Sequence, residues 1–197
     1  MRIIGGRWRG TRLAVASAPG LRPSSDRVRE TLFNWLGPML PGARVVDLFA
    51  GSGALGLEAV SRGAAHAVLV ERDTQLAASL SVAVSRLFAQ ECVTVVQGDA
   101  LAWLSRQPKD AFDLVFADPP FSTDVWPQLL PLLMTRLAPG GWLYVESAQA
   151  RAPAIAAAQW RLHREGTTRE VRFALYRRPL VGGADTLPGD LFAAVPE

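Results

Sequence analysis

The stretch Val45-Val46-Asp47-Leu48-Phe49-Ala50-Gly51-Ser52-Gly53-Ala54-Leu55-Gly56-Leu57-Glu58 decides the fold. An apolar strand-like run (Arg44–Phe49) passes through Gly51-x-Gly53-x-x-Gly56 straight into a helix-forming segment. A strand feeding a helix through glycines is the first unit of a doubly wound sheet, and backbone without Cβ atoms lets a ligand approach closely. A tight turn would by itself call for glycine, so the neighbourhood must say whether anything binds there.

Outward from this unit the pattern alternates. Further strand-like runs fall at Ala67–Glu71, Val93–Gln97, Phe112–Ala117 and Gly141–Glu146, separated by helical stretches at Ala54–Arg62, Thr74–Phe88, Ala100–Arg106 and Val125–Leu137. Strands alternating with helices give βαβ units and a mostly parallel sheet covered on both faces. Gln159–Arg164 and Glu170–Arg177 read instead as two successive strands joined near Gly166, an antiparallel hairpin on the sheet edge. The chain therefore divides into a basic arm (1–23), an α/β domain (24–178) and a tail (179–197). The arm reads as a small β-hairpin around Gly5-Gly6 and Gly10. Ser24, Ser25 and Asp26 offer N-caps to a helix whose apolar face is Val28, Leu32, Trp35 and Leu36, stopped by Gly37-Pro38.

Composition narrows the class. With 197 residues, 49% of them hydrophobic, the chain can bury one sizeable core, which excludes a disordered protein. No run approaches 18 consecutive apolar residues, and no apolar segment follows Met1, so neither a membrane span nor a secretory signal is expected. One cysteine (Cys92) and two histidines leave no disulfide framework and no zinc site, so the expectations are a cytoplasmic protein without metal. Residues 1–30 carry seven arginines against Asp26 and Glu30, whereas residues 31–160 carry eight bases against eleven acids. A basic end on a mildly acidic body points to a polyanionic partner such as nucleic acid.

Two cofactor classes suit a glycine loop followed by an acid at the end of the next strand, here Glu71, where a carboxylate grips ribose hydroxyls. A dinucleotide would bring a pyrophosphate against Asp47, four residues before Gly51, and be repelled. S-adenosylmethionine brings an ammonium and a sulfonium, which that carboxylate favours. Asp99, in Gly98-Asp99-Ala100, can accept from an adenine amine while Ala100 offers its backbone N–H. Asp99 can equally cap the helix that follows.

The most specific segment is Phe112-Asp113-Leu114-Val115-Phe116-Ala117-Asp118-Pro119-Pro120-Phe121. Two prolines end a buried strand rigidly and hold a carboxylate and a ring at set positions. This reads as a clamp for a planar amine: Asp118 accepts one N–H, the Pro119 carbonyl accepts the other, and Phe121 stacks on the ring. An aromatic amine is a poor nucleophile because its lone pair is delocalised, so two acceptors that aim it at a methyl carbon would act mainly by positioning.

The set Asp47-x-Phe49-x-Gly51-x-Gly53, Glu71, Gly98-Asp99-Ala100 and Asp118-Pro119-Pro120-Phe121 resembles class I S-adenosylmethionine-dependent N-methyltransferases. Three further segments narrow the likeness: Arg2–Gly10, Arg22–Leu36 and Glu58–Ala64 resemble the bacterial small-subunit (16S) ribosomal RNA guanine-N2 methyltransferase family. The resemblance runs from about residue 1 to 178, with Ser24 standing where that family would have Thr. It implies a Rossmann-like seven-stranded sheet with a C-terminal antiparallel hairpin. It implies a donor site of Asp47, Phe49, Ala50, Gly51, Gly53, Glu71, Arg72, Asp99 and Ala100, and a clamp of Asp118, Pro119 and Phe121 for a flipped-out guanine. Arg7, Arg9, Arg22, Arg27 and Arg29 would face phosphates of small-subunit ribosomal RNA, and Trp8 would stack on a base or anchor the arm. A monomer is expected. The residues alone also fit an amino methyltransferase acting on adenine in DNA or on a small molecule, and an RNA-binding assembly protein without activity. An NAD oxidoreductase is disfavoured by Asp47 and the Asp-Pro-Pro-Phe segment.

Overall fold

The computed structural model describes residues 2–13 and 26–180. Within them the helix α1 (Asp26–Leu36) precedes β1 (Arg44–Asp47), α2 (Ala54–Ser61), β2 (His66–Glu71), α3 (Thr74–Arg86), β3 (Val93–Gln97) and α4 (Ala100–Ser105). Then follow β4 (Phe112–Ala117), α5 (Trp126–Arg136), β5 (Leu137–Ala148), β6 (Arg161–Thr167) and β7 (Val171–Arg177). The seven strands form one sheet in the order β3-β2-β1-β4-β5-β7-β6. Only β7 runs antiparallel to its neighbours, β5 and β6.

The chain winds from β1 outward to β3, then crosses to β4 on the other side of β1, so the winding reverses between β1 and β4. Ligands of such sheets bind outside the carboxyl ends of the strands at that reversal, where β1 ends at Asp47 and β4 hands over to Asp118.

Both sheet faces are covered, which is why the strands read as continuous apolar runs. Leu32 and Phe33 of α1, Leu57 of α2 and Leu80 of α3 pack on one face with Phe116 and Tyr144. Leu104 of α4, Leu129 and Leu133 of α5 and Trp160 pack on the other with Val115 and Leu143. No described helix is long and apolar enough to cross a membrane.

Three expectations change. The arm is not a separate appendage: Ile3 is fully buried and Leu13 nearly so, both in the core under α1 and α2. Its hairpin shrinks to one antiparallel bridge, Arg2 with Arg12, around a helical turn at Gly6–Trp8. The final hairpin turns at Thr168–Glu170, not at Gly166, which lies inside β6 beneath Phe173. A Cβ there would sit 2.3 Å from that ring. β5 is also longer than expected, because Leu137 already pairs with Phe112 before an irregularity resets the register at Leu114 and Trp142. Ser24 and Ser25, and the tail beyond Leu180, lie outside the described residues.

Candidate active site

The glycine loop is built from β1 upward. Gly51 and Gly53 take left-handed backbone, with φ of 53° and 76°, which lets the chain reverse into α2. Gly56 serves packing instead: a Cβ would stand 2.1 Å from Leu69 and 3.3 Å from the Asp47 Cβ, so only glycine lets α2 lie on the strands. Phe49 precedes the turn, and Ala50 is buried and pinned to β2 by its N–H on the Val70 carbonyl, 3.0 Å.

Asp47 is buried beneath this loop. Its Oδ2 accepts from the Gly56 N–H at 3.1 Å, whereas its Oδ1 is buried without a partner. Burial raises its pKa from 3.8 to about 7; the Gly56 and Phe49 amides oppose the rise and the charge of Glu71 adds to it. A buried carboxylate with an orphaned oxygen suits an incoming cation, so the donor set fits the ammonium and sulfonium of S-adenosylmethionine.

Glu71 lies at the end of β2, and both its oxygens are engaged. Oε2 accepts from the Gly51 N–H at 2.8 Å and Oε1 from the Asp73 N–H at 2.7 Å. It thus holds the glycine loop against the start of α3, with second lone pairs left for hydroxyl donors. Arg72 is exposed beside it. Asp99 caps α4 through Oδ1, which accepts from the Ala102 N–H at 2.9 Å, and Ala100 is buried behind it. The capping reading of Asp99 is therefore realised.

β4 delivers Asp118, Pro119 and Phe121 beside these groups. The pairing of Ala117 with Val145 sets Asp118 next to Glu146 on β5. Burial first, then the charges of Glu146 and Asp47, push the Asp118 carboxyl well above its ordinary value. The Tyr144 hydroxyl donates to Glu146 Oε2 at 2.7 Å, and burial with the Glu146 and Asp118 charges raises its pKa as well. Asp47, Asp118 and Glu146 thus stand at the carboxyl ends of three adjacent strands, a concentration of acid that a cation would relieve. Beyond the prolines opens a cleft of about 550 Å³, walled by Pro119, Phe121, Trp126, Leu130, Ser147 and Arg151. That is within the usual range for small-molecule sites. The Ser147 Oγ on its wall is buried without a partner.

The arginines separate. Arg7 and Arg9 are exposed, with the Arg7 guanidinium 4.3 Å over the Trp8 ring. They lie by the far end of α2, where the Trp8 N–H donates to Ser61 Oγ at 3.0 Å. α2 is eight residues long, so this patch stands about 12 Å along the helix from the glycine loop. Arg27 is exposed on α1, and Arg22 lies outside the described residues. Arg29 is a correction: it is fully buried, pairs with Asp26 Oδ1 at 2.7 Å and with Glu58 at 3.9 Å, and donates to the Arg2 carbonyl at 3.0 Å. It cannot face a phosphate, because it helps hold the arm beneath the surface.

A family model described as Conserved hypothetical protein 95 matches residues 1–177. Over 187 residues the chain is 44% identical to ribosomal RNA small subunit methyltransferase D of Escherichia coli, covering 94% of this chain and 93% of that protein. The chain belongs to this family. The Haemophilus influenzae methyltransferase D is 41% identical over 182 residues, covering 90% of this chain and 93% of that one. A solved Escherichia coli structure at 44% identity matches with a TM-score of 0.81, covering 91% of this chain and 98% of that one. The family and the Rossmann-like methyltransferase fold expected from the motifs are both met.

For a methyltransferase D family member, two residues of this site escaped the motif reading: Glu146 and the Tyr144 that donates to it. Their signal was present as an acid inside the otherwise apolar run Trp142-Leu143-Tyr144-Val145-Glu146. Only the pairing of β5 with β4 shows that Glu146 stands beside Asp118.

Proposed function

We propose that this protein transfers a methyl group from S-adenosylmethionine to the exocyclic N2 amine of a guanine in small-subunit ribosomal RNA. The observation that carries the reading is the trio Asp47, Asp118 and Glu146 at the winding reversal, with a cleft beyond the Asp-Pro-Pro-Phe segment. When bound, the donor supplies a methyl group on a positively charged sulfur. Asp47 would hold its cationic end through the orphaned Oδ1, Glu71 and Asp99 its ribose and adenine, and the glycine loop its backbone-facing edge.

On the acceptor side the base is flipped from its stack, at a cost of a few kcal/mol. Asp118 and the Pro119 carbonyl accept the two N–H groups and Phe121 stacks on the ring. The amine nitrogen would gain positive charge on accepting the methyl group that the bound donor supplies, and the Asp118 carboxylate beside it would stabilise that charge. The nitrogen must then give up one proton, which the Asp118 carboxylate that accepts from that N–H would take. Holding the two reactants in line is worth about 7–11 kcal/mol in well-oriented systems, so positioning carries most of the rate.

The test is methyl transfer to ribosomal RNA from cells lacking the protein, with digestion and mass spectrometry of the nucleosides. N2-methylguanosine supports the reading. N6-methyladenosine in the RNA would overturn the guanine assignment, and no methylated nucleoside would defeat the ribosomal RNA reading in favour of adenine in DNA or a small molecule. Stabilisation against heat by S-adenosylmethionine but not by NAD is expected alongside.

A further inference from the structure

α2 and α3 end in the same motif with different residues. After α2, the N–H of Gly63 bonds the Val60 carbonyl at 3.1 Å and that of Ala64 the Ala59 carbonyl at 3.0 Å. After α3, the N–H of Phe88 bonds the Ser85 carbonyl at 3.1 Å and that of Ala89 the Val84 carbonyl at 3.0 Å. This double bond pattern needs a left-handed residue in the middle, and glycine is the usual occupant. Gly63 meets the need with φ of 111°; Phe88 meets it with φ of 52°. Asp110 is the other non-glycine residue with positive φ among those described, and its short polar side chain tolerates that backbone.

Phe88 therefore carries backbone strain, yet its side chain gains little burial in return: it is 90% exposed. Folding would be served better by glycine. An arginine of the arm reaches the turn that carries this ring. Cys92 Sγ approaches the Ala89 carbonyl at 3.4 Å and accepts from the Arg7 guanidinium at 3.0 Å, so the arm's Arg7–Trp8 stack lies beside the turn that holds Phe88. Arg9, two residues beyond Arg7 in the chain, and Arg86, two residues before Phe88, are exposed as well, and so is Glu91. Exposed rings among arginines suit single-stranded RNA, whose bases stack on the rings while its phosphates meet the guanidiniums.

We propose that Phe88, with Arg7, Trp8, Arg9 and Arg86, forms a second RNA contact at the amino-end edge of the sheet, remote from the methyl-transfer cleft. This rests on the ribosomal RNA reading above and extends it: the substrate spans the domain from the strand ends to the far end of α2. The ring at Phe88 stacks on an unpaired base outside the target site.

The experiment compares wild type with Phe88→Gly for binding to in vitro transcribed small-subunit ribosomal RNA across a salt series, with melting temperature measured in parallel. Glycine adopts the observed backbone freely, so Phe88→Gly is expected to melt no lower than wild type, and to bind the RNA roughly 5- to 100-fold more weakly. Phe88→Trp should restore affinity. Replacing Arg7 and Arg9 with Ala should flatten the logarithmic salt slope by about two. Affinity within about two-fold of wild type in Phe88→Gly overturns the proposal. So does a melting temperature several degrees lower, which would make the ring structural. Loss of binding to ribosomal particles without loss on naked RNA would assign the patch to a protein partner, which also overturns it. Methyl transfer by the wild-type protein judges the functional reading separately, so the two can fail independently.

Discussion

The two edges of the sheet treat buried charge in opposite ways. Towards the amino-end edge, Glu58 is fully buried and fully engaged: it accepts from the Ile4 and Gly5 N–H groups at 2.7 Å each and from Arg62 at 2.7 Å, with Arg29 at 3.9 Å. The Ile4 and Gly5 amides bind the arm to α2, Arg29 brings α1 to it, and Arg62 closes the site from the end of α2 itself. At the carboxyl-end edge, Asp47, Asp118 and Glu146 share one face, and burial with the charges of neighbouring acids holds the carboxyls of Asp47 and Asp118 above their ordinary values. Compensated charge builds structure, whereas uncompensated acid is a cost that a cationic ligand and a developing positive charge would relieve. The contrast assigns stability to one edge and chemistry to the other.

The largest effect should come from breaking the compensated edge. Glu58→Ala takes from buried Arg29 one of its two acids, strips Arg62 of its partner and frees two arm N–H groups, and should cost about 3–5 kcal/mol of stability. Denaturant unfolding is the readout, and an unchanged midpoint would show that Ile3, Leu13 and the Ser61 hydrogen bonds hold the arm without Glu58. Next, Asp118→Ala should leave folding intact but slow methyl transfer about 10²-fold or more, some 2.7 kcal/mol. Single-turnover transfer at saturating donor measures it. Asp118→Asn, which can still accept an N–H, should retain part of the rate. Equal rates in Asp118→Ala and wild type would reduce the Asp-Pro-Pro-Phe segment to a strand terminator.

Glu71→Ala should weaken S-adenosylmethionine binding by about 1.5–3 kcal/mol, because it loses charged hydrogen bonds that also hold Gly51 in place. Calorimetry that finds wild-type affinity would remove Glu71 from the donor site. The smallest effect is on pH. Asp47 keeps its proton up to about pH 7 in the folded chain and loses it near its ordinary 3.8 when unfolded. Folding therefore takes up a proton between those values, and this group's contribution to stability falls as pH rises through that window. A cationic donor prefers the carboxylate, so its affinity should tighten as pH rises towards 7, by at most about 1.4 kcal/mol per pH unit, and level off above. Asp47→Asn should flatten both slopes.

Much of this was legible without coordinates because the signals are local. β3 and β4 fall at the residues expected from their apolar runs, since a strand buried on both faces must be apolar throughout. The glycine loop and the Asp-Pro-Pro-Phe segment were legible because each does its work within a few consecutive residues. Arg29 was misread for the converse reason: its nearby Asp26 marks an ordinary helix-surface pair, and the contacts that bury it, Glu58 and the Arg2 carbonyl, are 29 and 27 positions away. Phe88 belongs to the same class. As sequence it is the last apolar residue of a helix, and only its left-handed backbone and bare ring set it apart.

The sequence by itself determined the alternation of strands and helices, the cofactor loop and the clamp, because periodicity, glycine and proline act through neighbours in the chain. Only the tertiary structure decided which acids meet. Asp47, Asp118 and Glu146 come from strands far apart in sequence and are neighbours because β1, β4 and β5 pair in parallel register. That register is set by packing across the sheet's two faces, a sum over many distant contacts that no single segment encodes.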